Sequence, residues 1–476
     1  MSPSQPASAR DRTRLAIETA LADAQADGAL PPFPADEPRP AVEVVRPDNP
    51  EHGDLATNLA LKLAGRLKQP PRAIGEVLAE RLPSSAEDGT IRRAEVAGPG
   101  FVNVWLSPAY VEQAIDAIRT AGTTYGRTPA ETTDSINVEF VSANPTGPLT
   151  IGNARGAFVG DLLCRVLEAV GHRVAREYYF NDFGAQVEKL GESVRAARTG
   201  EPIPEDGYRG AYVGELATDL PDDVWQRAQV EPERAGWILG EWASERVREG
   251  IEDSLEHLGV HFDVWKSESS LHREGWIDRA VDRLSQSGHA YKREGALWFR
   301  STDFGDDKDR VVIRTNGQPT YLAADVGYLA EKFSRGFDRL IYIWGADHHG
   351  TVARLRGAAE ALGFEREQVQ VLLVAWVRFV REGREISMSK RSGEFITLDE
   401  LLAEVGVDAA RWFFASRSPS TGIDFDIELA RKESNENPVY YVQYAHARIV
   451  SILRKAGSAR VEEALEANLG ESPEVL

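Results

Sequence analysis

Cysteine is almost absent: Cys164 is the only one in 476 residues. One thiol cannot close an intrachain disulfide, and it rules out a cysteine-based zinc site. Long apolar runs are missing too. The longest, VLLVAWV at Val371–Val377, falls far short of the roughly 20 residues that a membrane span needs. The opening stretch, MSPSQPASARDRTRLAIETALADAQ, places Arg and Asp where a secretory signal needs an apolar segment. Internal repeats and long low-complexity tracts are also lacking. A reducing, cytoplasmic protein without a membrane role is the expectation. Positive charge is in deficit, with 55 Lys+Arg against 75 Asp+Glu and a net charge of −20. Phosphates repel such a chain, so a general nucleic-acid binder is disfavoured. Screening over about 8 Å still permits a local basic face on an acidic body. The first reading of the excess acid is solubility.

The composition that remains is that of a globular protein, 42% hydrophobic and 27% charged. Arg10–Gln25 carries Leu15, Ile17, Ala20, Leu21 and Ala24 near helical spacing, which predicts an amphipathic helix. After the Pro-rich Pro31–Pro40 come strand-like Val42–Val45, helical Ala56–Leu67 and Ala73–Leu82, and strand-like Ala94–Leu106. Together they predict a mixed α/β module. Thr120–Thr133 is polar and Gly/Thr-rich, a linker pattern. The pattern changes from Asp134. A buried strand at Ile136–Ser142, a Gly-rich turn, a helix at Asn153–Val170 and a strand at His172–Phe180 open a parallel nucleotide-binding sheet. Gln186–Gly295 is expected to be a largely helical insertion. Strands return at Ala296–Arg300, Arg310–Arg314, Arg339–Gly345 and Val369–Val377, with a helix at Ala323–Gly336. A Gly/Ser/Lys-rich loop follows Arg381, and helices then run to the end.

Two stretches carry chemistry. In SANPTGPLTIGNARGA (Ser142–Ala157), two breaker dipeptides lead into a helix whose first N–H groups lack intrahelical partners. Phosphates are the usual occupants of such a helix start, and Gly152 would let a flat ring such as adenine lie against the backbone. A tight strand-to-helix turn without a ligand is the alternative. In REISMSKRSGEFITLDEL (Arg384–Leu401), Arg384, Lys390 and Arg391 sit on a Gly/Ser-rich loop. Cations on a mobile loop suit charge that develops during reaction, such as a leaving pyrophosphate; a solvated surface loop is the alternative. Tyr321 and Asp325 are one helical turn apart and share a face. The pair His348-His349 points two ways and has no third ligand spaced to join it, so no protein-held metal is expected.

These two stretches together resemble the HIGH and KMSKS signatures of class I aminoacyl-tRNA synthetases. They stand here as Thr150-Ile151-Gly152-Asn153 and Ser387-Met388-Ser389-Lys390-Arg391. Further segments resemble one family, the arginyl-tRNA synthetases: Val138–Pro148, Tyr178–Gln186, Thr320–Tyr328, Arg335–Leu355, Gly406–Ser418 and Asn437–Ile449, with Pro50–Ala60 and Ala97–Leu106 similar to that family's N-terminal domain. The resemblance spans nearly the whole chain. It implies an α/β fold with a Rossmann-type parallel-sheet catalytic domain at 134–430 and a helical insertion at about 187–295. It adds an N-terminal α/β tRNA-recognition domain at 1–119, a linker at 120–133, and the beginning of an all-α anticodon-binding domain at 431–476. Family members carry further helices, so either a fragment or a reduced grip on tRNA is expected.

The same resemblance implies that ATP, with Mg2+, and arginine form arginyl-adenylate and pyrophosphate, and that the arginyl group passes to the terminal ribose of tRNA(Arg). Bound tRNA is typically needed for the first step in this family, and a monomer is expected. Glu139, Asn144, Tyr321, Asp325, Asp347 and His348 would bind arginine. Pro148, Gly152, Asn153, Met388, Ser389 and Lys390 would bind ATP, with Thr150, Asn153, Lys390 and Arg391 as the catalytic set. Three positions depart from the family: Thr150 and Asn153 replace both HIGH histidines, and Ser387 replaces the first KMSKS lysine. A hydroxyl and an amide can still donate hydrogen bonds. A non-catalytic tRNA- or nucleotide-binding relative is the alternative reading, though it should also have lost the arginine pocket. A small-molecule adenylyltransferase would need neither the N-terminal module nor the helix at Asn437–Ile449.

Overall fold

A computed structural model describes residues 8–33, 39–86, 89–127, 130, 132–385 and 396–466. The chain divides into two units, Met1–Thr128 with Ser451–Leu476, and Pro129–Val450.

The first unit opens with α1 (Ala9–Ala26), capped by the Ser8 hydroxyl, which accepts from the Asp11 N–H at 3.2 Å. Its buried stripe, Ala16, Ile17, Ala20, Leu21 and Ala24, follows helical spacing and faces the core. There follow β1 (Leu55–Thr57), α2 (Leu59–Leu67), α3 (Pro71–Ser85), β2 (Ile91–Ala97), β3 (Phe101–Leu106) and α4 (Pro108–Ala121). The strands form an antiparallel sheet in the order β1-β3-β2. The strand expected at Val42–Val45 reduces to an isolated bridge between Val45 and Ala56.

The second unit begins with β4 (Ser135–Glu139), α5 (Ile151–Ala169) and β5 (Arg173–Phe180). Four helices follow, α6 (Ala185–Thr199), α7 (Ala211–Asp219), α8 (Asp222–Val230) and α9 (Ala235–His257). Then come β6 (Val264–Ser267), α10 (Glu268–Arg273), α11 (Trp276–Gln286), β7 (Ala290–Arg293), β8 (Ala296–Phe299), β9 (Arg310–Ile313) and α12 (Tyr321–Ser334). After β10 (Arg339–Gly345), α13 (His349–Ala361) and β11 (Val369–Val374), the chain adds β12 (Val377–Arg381), β13 (Arg384–Glu385), α14 (Leu398–Val405), α15 (Val407–Ala415), β14 (Ile423–Asp426), α16 (Ile427–Arg431) and α17 (Pro438–Ala456); the end of α17 from Ser451 and α18 (Ser458–Glu466) are counted with the first unit.

The central sheet has five strands in the order β11-β10-β4-β5-β6, every pair parallel. Ile136, Asn137, Val138 and Glu139 are buried in succession, as befits a strand covered on both faces. The strand order turns at β4: β5 and β6 lie on one side, β10 and β11 on the other. In an open parallel sheet, that switch point leaves a crevice beyond the carboxyl ends of the strands.

Two expectations need correction, and two expected strands find their sheet. The segment foreseen as a helical insertion contains β6, which pairs with β5 and completes the central sheet. The strands at Ala296–Phe299 and Arg310–Ile313 join β7 in a separate antiparallel sheet. The run Val369–Val377 is not one strand. It breaks at Ala375–Trp376, where Ala375 N–H leaves the ladder and donates to Pro419 O at 2.8 Å. Beyond the break, β12 pairs with β13 and β14 in another sheet. Among the described residues, no helix is long and apolar enough to cross a membrane.

Candidate active site

A cleft of about 570 Å³ lies at the switch point. Gly152, Asn153, Trp344, Asp347, His348 and Trp376 are among its lining residues. They come from the start of α5, the end of β10 and the turn after it, and the segment just past β11. A Cβ on Gly152 would meet only Thr150 Oγ1, at 3.5 Å. The protein's own packing therefore does not require glycine there; an open backbone face toward the cleft does.

Thr150 and Asn153 bond to each other. Asn153 Oδ1 accepts from the Thr150 backbone N–H at 3.1 Å and from its hydroxyl at 3.1 Å. The hydroxyl proton is thus spent within the helix cap, which leaves the Nδ2 amide as the donor on Asn153, a residue that lines the cleft. Pro148 departs from expectation: it lines a separate depression of about 270 Å³ beside Tyr212 and Arg246. Leu149, between Pro148 and Thr150, is buried in the core.

The five residues Ser387, Met388, Ser389, Lys390 and Arg391 lie outside the described residues. Their flanks are placed. Arg384 pairs with Arg381 in the β12–β13 hairpin. On the other side, Ile396 O accepts from Ile151 N–H at 3.4 Å, and Leu398 N–H donates to Leu149 O at 2.9 Å. The second flank is therefore stitched to the start of α5.

Beside the cleft, β4 ends in a strained turn. Val141 and Ser142 take φ of 65° and 43° in succession, a left-handed conformation unfavourable for a β-branched residue. The turn aims the Ser142 hydroxyl back, where it donates to Glu139 at 3.3 Å and accepts from Tyr179 N–H at 3.2 Å. Backbone strain of this kind concentrates at functional sites. Asn144 is exposed and donates its amide to Gln186 at 3.0 Å.

Acidic groups gather behind that turn. The Glu139 carboxylate is already matched: Lys332, itself fully buried, donates to it at 2.6 Å. Burial acts to raise the Glu177 carboxyl, but Lys332, Arg335 and the Tyr328 hydroxyl outweigh it and hold the group below its usual range. Asp325 differs. No hydrogen bond or ion pair holds its carboxylate among the described residues, and it is partly buried. Burial, then the charges of Glu139 and Glu268, push its pKa up to about 7, while Arg354 draws it back. Tyr321, one turn earlier on α12, is 71% exposed, at the mouth instead of the floor. The Thr320 hydroxyl fixes the start of that helix by donating to Val311 O at 2.9 Å.

Glu268 and Tyr179 join this group without a sequence motif to announce them. Glu268, 6% exposed at the start of α10, accepts from the Tyr179 hydroxyl at 2.9 Å. Burial raises its pKa, with Asp182 adding to the effect. Its only local signal is a Ser-Glu-Ser run at a helix start, common to many caps. Asp347 and His348 stand 3.5 Å apart at an exposed rim of the cleft, with the nucleotide-helix residues and not in the acidic group. Among the described residues, no group of three or more His, Cys, Asp or Glu could hold a metal.

Comparison with known proteins agrees with this layout. Residues 11–106 match the arginyl tRNA synthetase N-terminal domain, and residues 115–198 and 241–419 match the class I (R) tRNA synthetase catalytic domain. These matches and the switch-point cleft define a class I aminoacyl-tRNA synthetase. The arginine–tRNA ligase of Geobacillus thermodenitrificans is 46% identical over 428 residues, covering 89% of this chain and 76% of that protein. That of Bacillus subtilis is 45% identical over 423 residues, covering 87% and 76%. The chain belongs to the arginine–tRNA ligases. The solved Thermus thermophilus arginyl-tRNA synthetase shares the fold, with a TM-score of 0.68 at 24% identity over 94% of this chain and 82% of that one.

Proposed function

We infer that the protein activates arginine with ATP, taken as its magnesium complex, and transfers the arginyl group to tRNA(Arg). The observation that carries the arginine reading is Asp325. It is a partly buried carboxylate with no partner among the described residues, its pKa raised by burial and then by neighbouring carboxylates, on the face of α12 that also bears Tyr321. A guanidinium is the planar cation that such a site lacks. Glu268 offers a second carboxylate, with the Tyr179 hydroxyl as a hydrogen-bond donor. Glu139, already paired with Lys332, contributes charge to the neighbourhood. Tyr321 would close over the side chain at the mouth, and Asn144 would meet the substrate's polar end.

ATP would lie in the 570 Å³ cleft, its ring over Gly152 and its phosphates at the start of α5. An arginine carboxylate oxygen attacks the α-phosphorus, the bond to the bridging oxygen breaks, and pyrophosphate leaves. Asn153 Nδ2 would donate to the phosphate oxygens as their charge shifts, and Lys390 and Arg391 would neutralise the departing pyrophosphate. Met388 and Ser389 belong to the same loop and would cover the nucleotide. Asp347 and His348, on the cleft rim, are assigned to the reacting end of arginine. The terminal ribose hydroxyl of tRNA(Arg) then attacks the arginyl carbonyl and AMP leaves. No covalent enzyme intermediate is needed; catalysis rests on positioning and charge stabilisation. Residues 1–119 and the helices after Asn437 are proposed to grip the tRNA. ATP–pyrophosphate exchange dependent on arginine, run with and without tRNA(Arg), is the direct test. Exchange indifferent to arginine would refute the assignment.

A further inference from the structure

Arg155 lies two residues past Asn153 on α5 and is 1% exposed, yet it belongs to the cleft wall. Its guanidinium donates to Ala375 O at 2.8 Å, to Trp376 O at 3.4 Å and to Ser418 O at 2.9 Å. Its Nε is buried without a partner. The other fully buried cation among the described residues, Lys332, is paired with Glu139; Arg155 has no carboxylate. An arginine buried against carbonyls alone is costly, so what it holds should matter.

What it holds is the break between β11 and β12. The Trp376 carbonyl is pinned twice, by Arg155 and by Ile423 N–H at 3.1 Å. The Trp376 ring is nonetheless 61% exposed, and it lines the cleft together with Gly152 and Asn153. It stands directly on Gly422, where a Cβ would come within 2.6 Å of the ring. A large ring that stays mostly exposed beside Gly422, with the Arg378 guanidinium 5.9 Å from its centroid, on a backbone fixed by a buried cation, is built to receive a flat partner.

We propose that Arg155 is a positioning residue: its guanidinium fork fixes the Ala375–Trp376 break so that the Trp376 ring forms the wall against which the purine of ATP packs. The proposal rests on the reading that this cleft takes ATP. The test is ATP–pyrophosphate exchange with the full chain, arginine and tRNA(Arg), scored as separate KM values for ATP and arginine. Wild-type exchange is measured first; its absence fails the ATP reading itself, and the statements below apply once it is seen. Stacking of a base on an aromatic ring sets the scale, so Trp376→Ala should raise the ATP KM about tenfold or more, and Trp376→Phe about threefold or less. Arg155→Met and Arg155→Lys should both raise the ATP KM about tenfold, with the arginine KM within about twofold of wild type, because lysine keeps the charge but not the fork. Arg155→Met combined with Trp376→Ala should be no worse than the worse single variant. A wild-type ATP KM in Arg155→Lys, an equal rise in both KM values, or additive losses in the double variant would overturn the proposal. Should the Arg155 variants not fold, Trp376→Ala and Gly422→Ala decide: unchanged ATP KM in both overturns it.

Discussion

Replacing Asp325 by Asn should make the protein more stable and nearly blind to arginine. The Asp325 carboxyl titrates at about 7 in the folded chain, against 3.8 for the unperturbed group. Because the folded value is the higher one, the carboxylate costs no stability below pH 3.8. The cost grows as pH rises between the two values and is complete above about 7. Every tenfold weakening of an acid corresponds to about 1.4 kcal/mol, which bounds the cost at about 4 kcal/mol. Asp325 is partly exposed and water screens it, so the amide should gain about 1–3 kcal/mol at pH 8. In a thermal melt this is a rise of a few degrees, and it should vanish near pH 4. Arginine binding moves the opposite way. A guanidinium deprived of its buried carboxylate loses about 3–5 kcal/mol, so the arginine KM should rise at least about 100-fold while the ATP KM stays put. Stability stored against function is a common trade. Equal melting of wild type and variant at pH 8, together with an unchanged arginine KM, would remove Asp325 from the site.

Further outcomes follow from the same geometry. Arginine affinity in the wild type should weaken as pH falls below about 7, approaching tenfold for each pH step, because protons and the guanidinium compete for Asp325; titration calorimetry at several pH values should show a flat profile for Asp325→Asn. Glu268→Gln should raise the arginine KM and leave the ATP KM alone, and the reverse pattern in exchange assays would exclude it from the arginine site. Asn153→Ala should lower the adenylation rate about 100-fold in single-turnover measurements, whereas Thr150→Val, whose hydroxyl is spent on Asn153, should lower it far less. Lys390→Ala should lower kcat with little change in the arginine KM, since the loop is expected to act on charge that appears only in the transition state.

The elements legible in the sequence are those with a clean period or a hard stop. Arg10–Gln25 and Asn153–Val170 fall within a few residues of α1 and α5, because apolar spacing and flanking breakers both mark them. The β11–β12 break is hidden for the opposite reason. Val369–Val377 is apolar nearly throughout, and the agents that end the strand, Arg155 and Pro419, lie hundreds and tens of residues away in sequence. Strand β6 hides inside a helical stretch because four residues carry too little pattern; only pairing with β5 makes Val264–Ser267 a strand.

For the site, residue type is legible and charge balance is not. Glu139 and Asp325 look alike as acids at the edges of regular elements. The fold separates them: Lys332, further along α12, reaches Glu139 and neutralises it, and nothing comparable reaches Asp325 among the described residues. Glu268 is delivered by α10, inside the stretch expected to be helical, where no local motif marks it. A binding site for a cation is defined by the carboxylate that the protein leaves unmatched, and matching is a property of side chains far apart in sequence. Arg155, on the nucleotide side, is a different case, because its fork is spent on carbonyls. Among the described residues, Arg155 is fully buried without a carboxylate, and Asp325, in the same unit, is partly buried without a cation. The two helices that carry them share β10 as their support: Ile341 and Ile343 pack in the core with α5, and the alternate residues Leu340 and Tyr342 pack in the core with α12. The two halves of the site thus rest on helices laid against opposite faces of one strand beside the switch point: α5, through Arg155, would hold the wall against which the purine packs, and α12 would offer the carboxylate that a guanidinium completes.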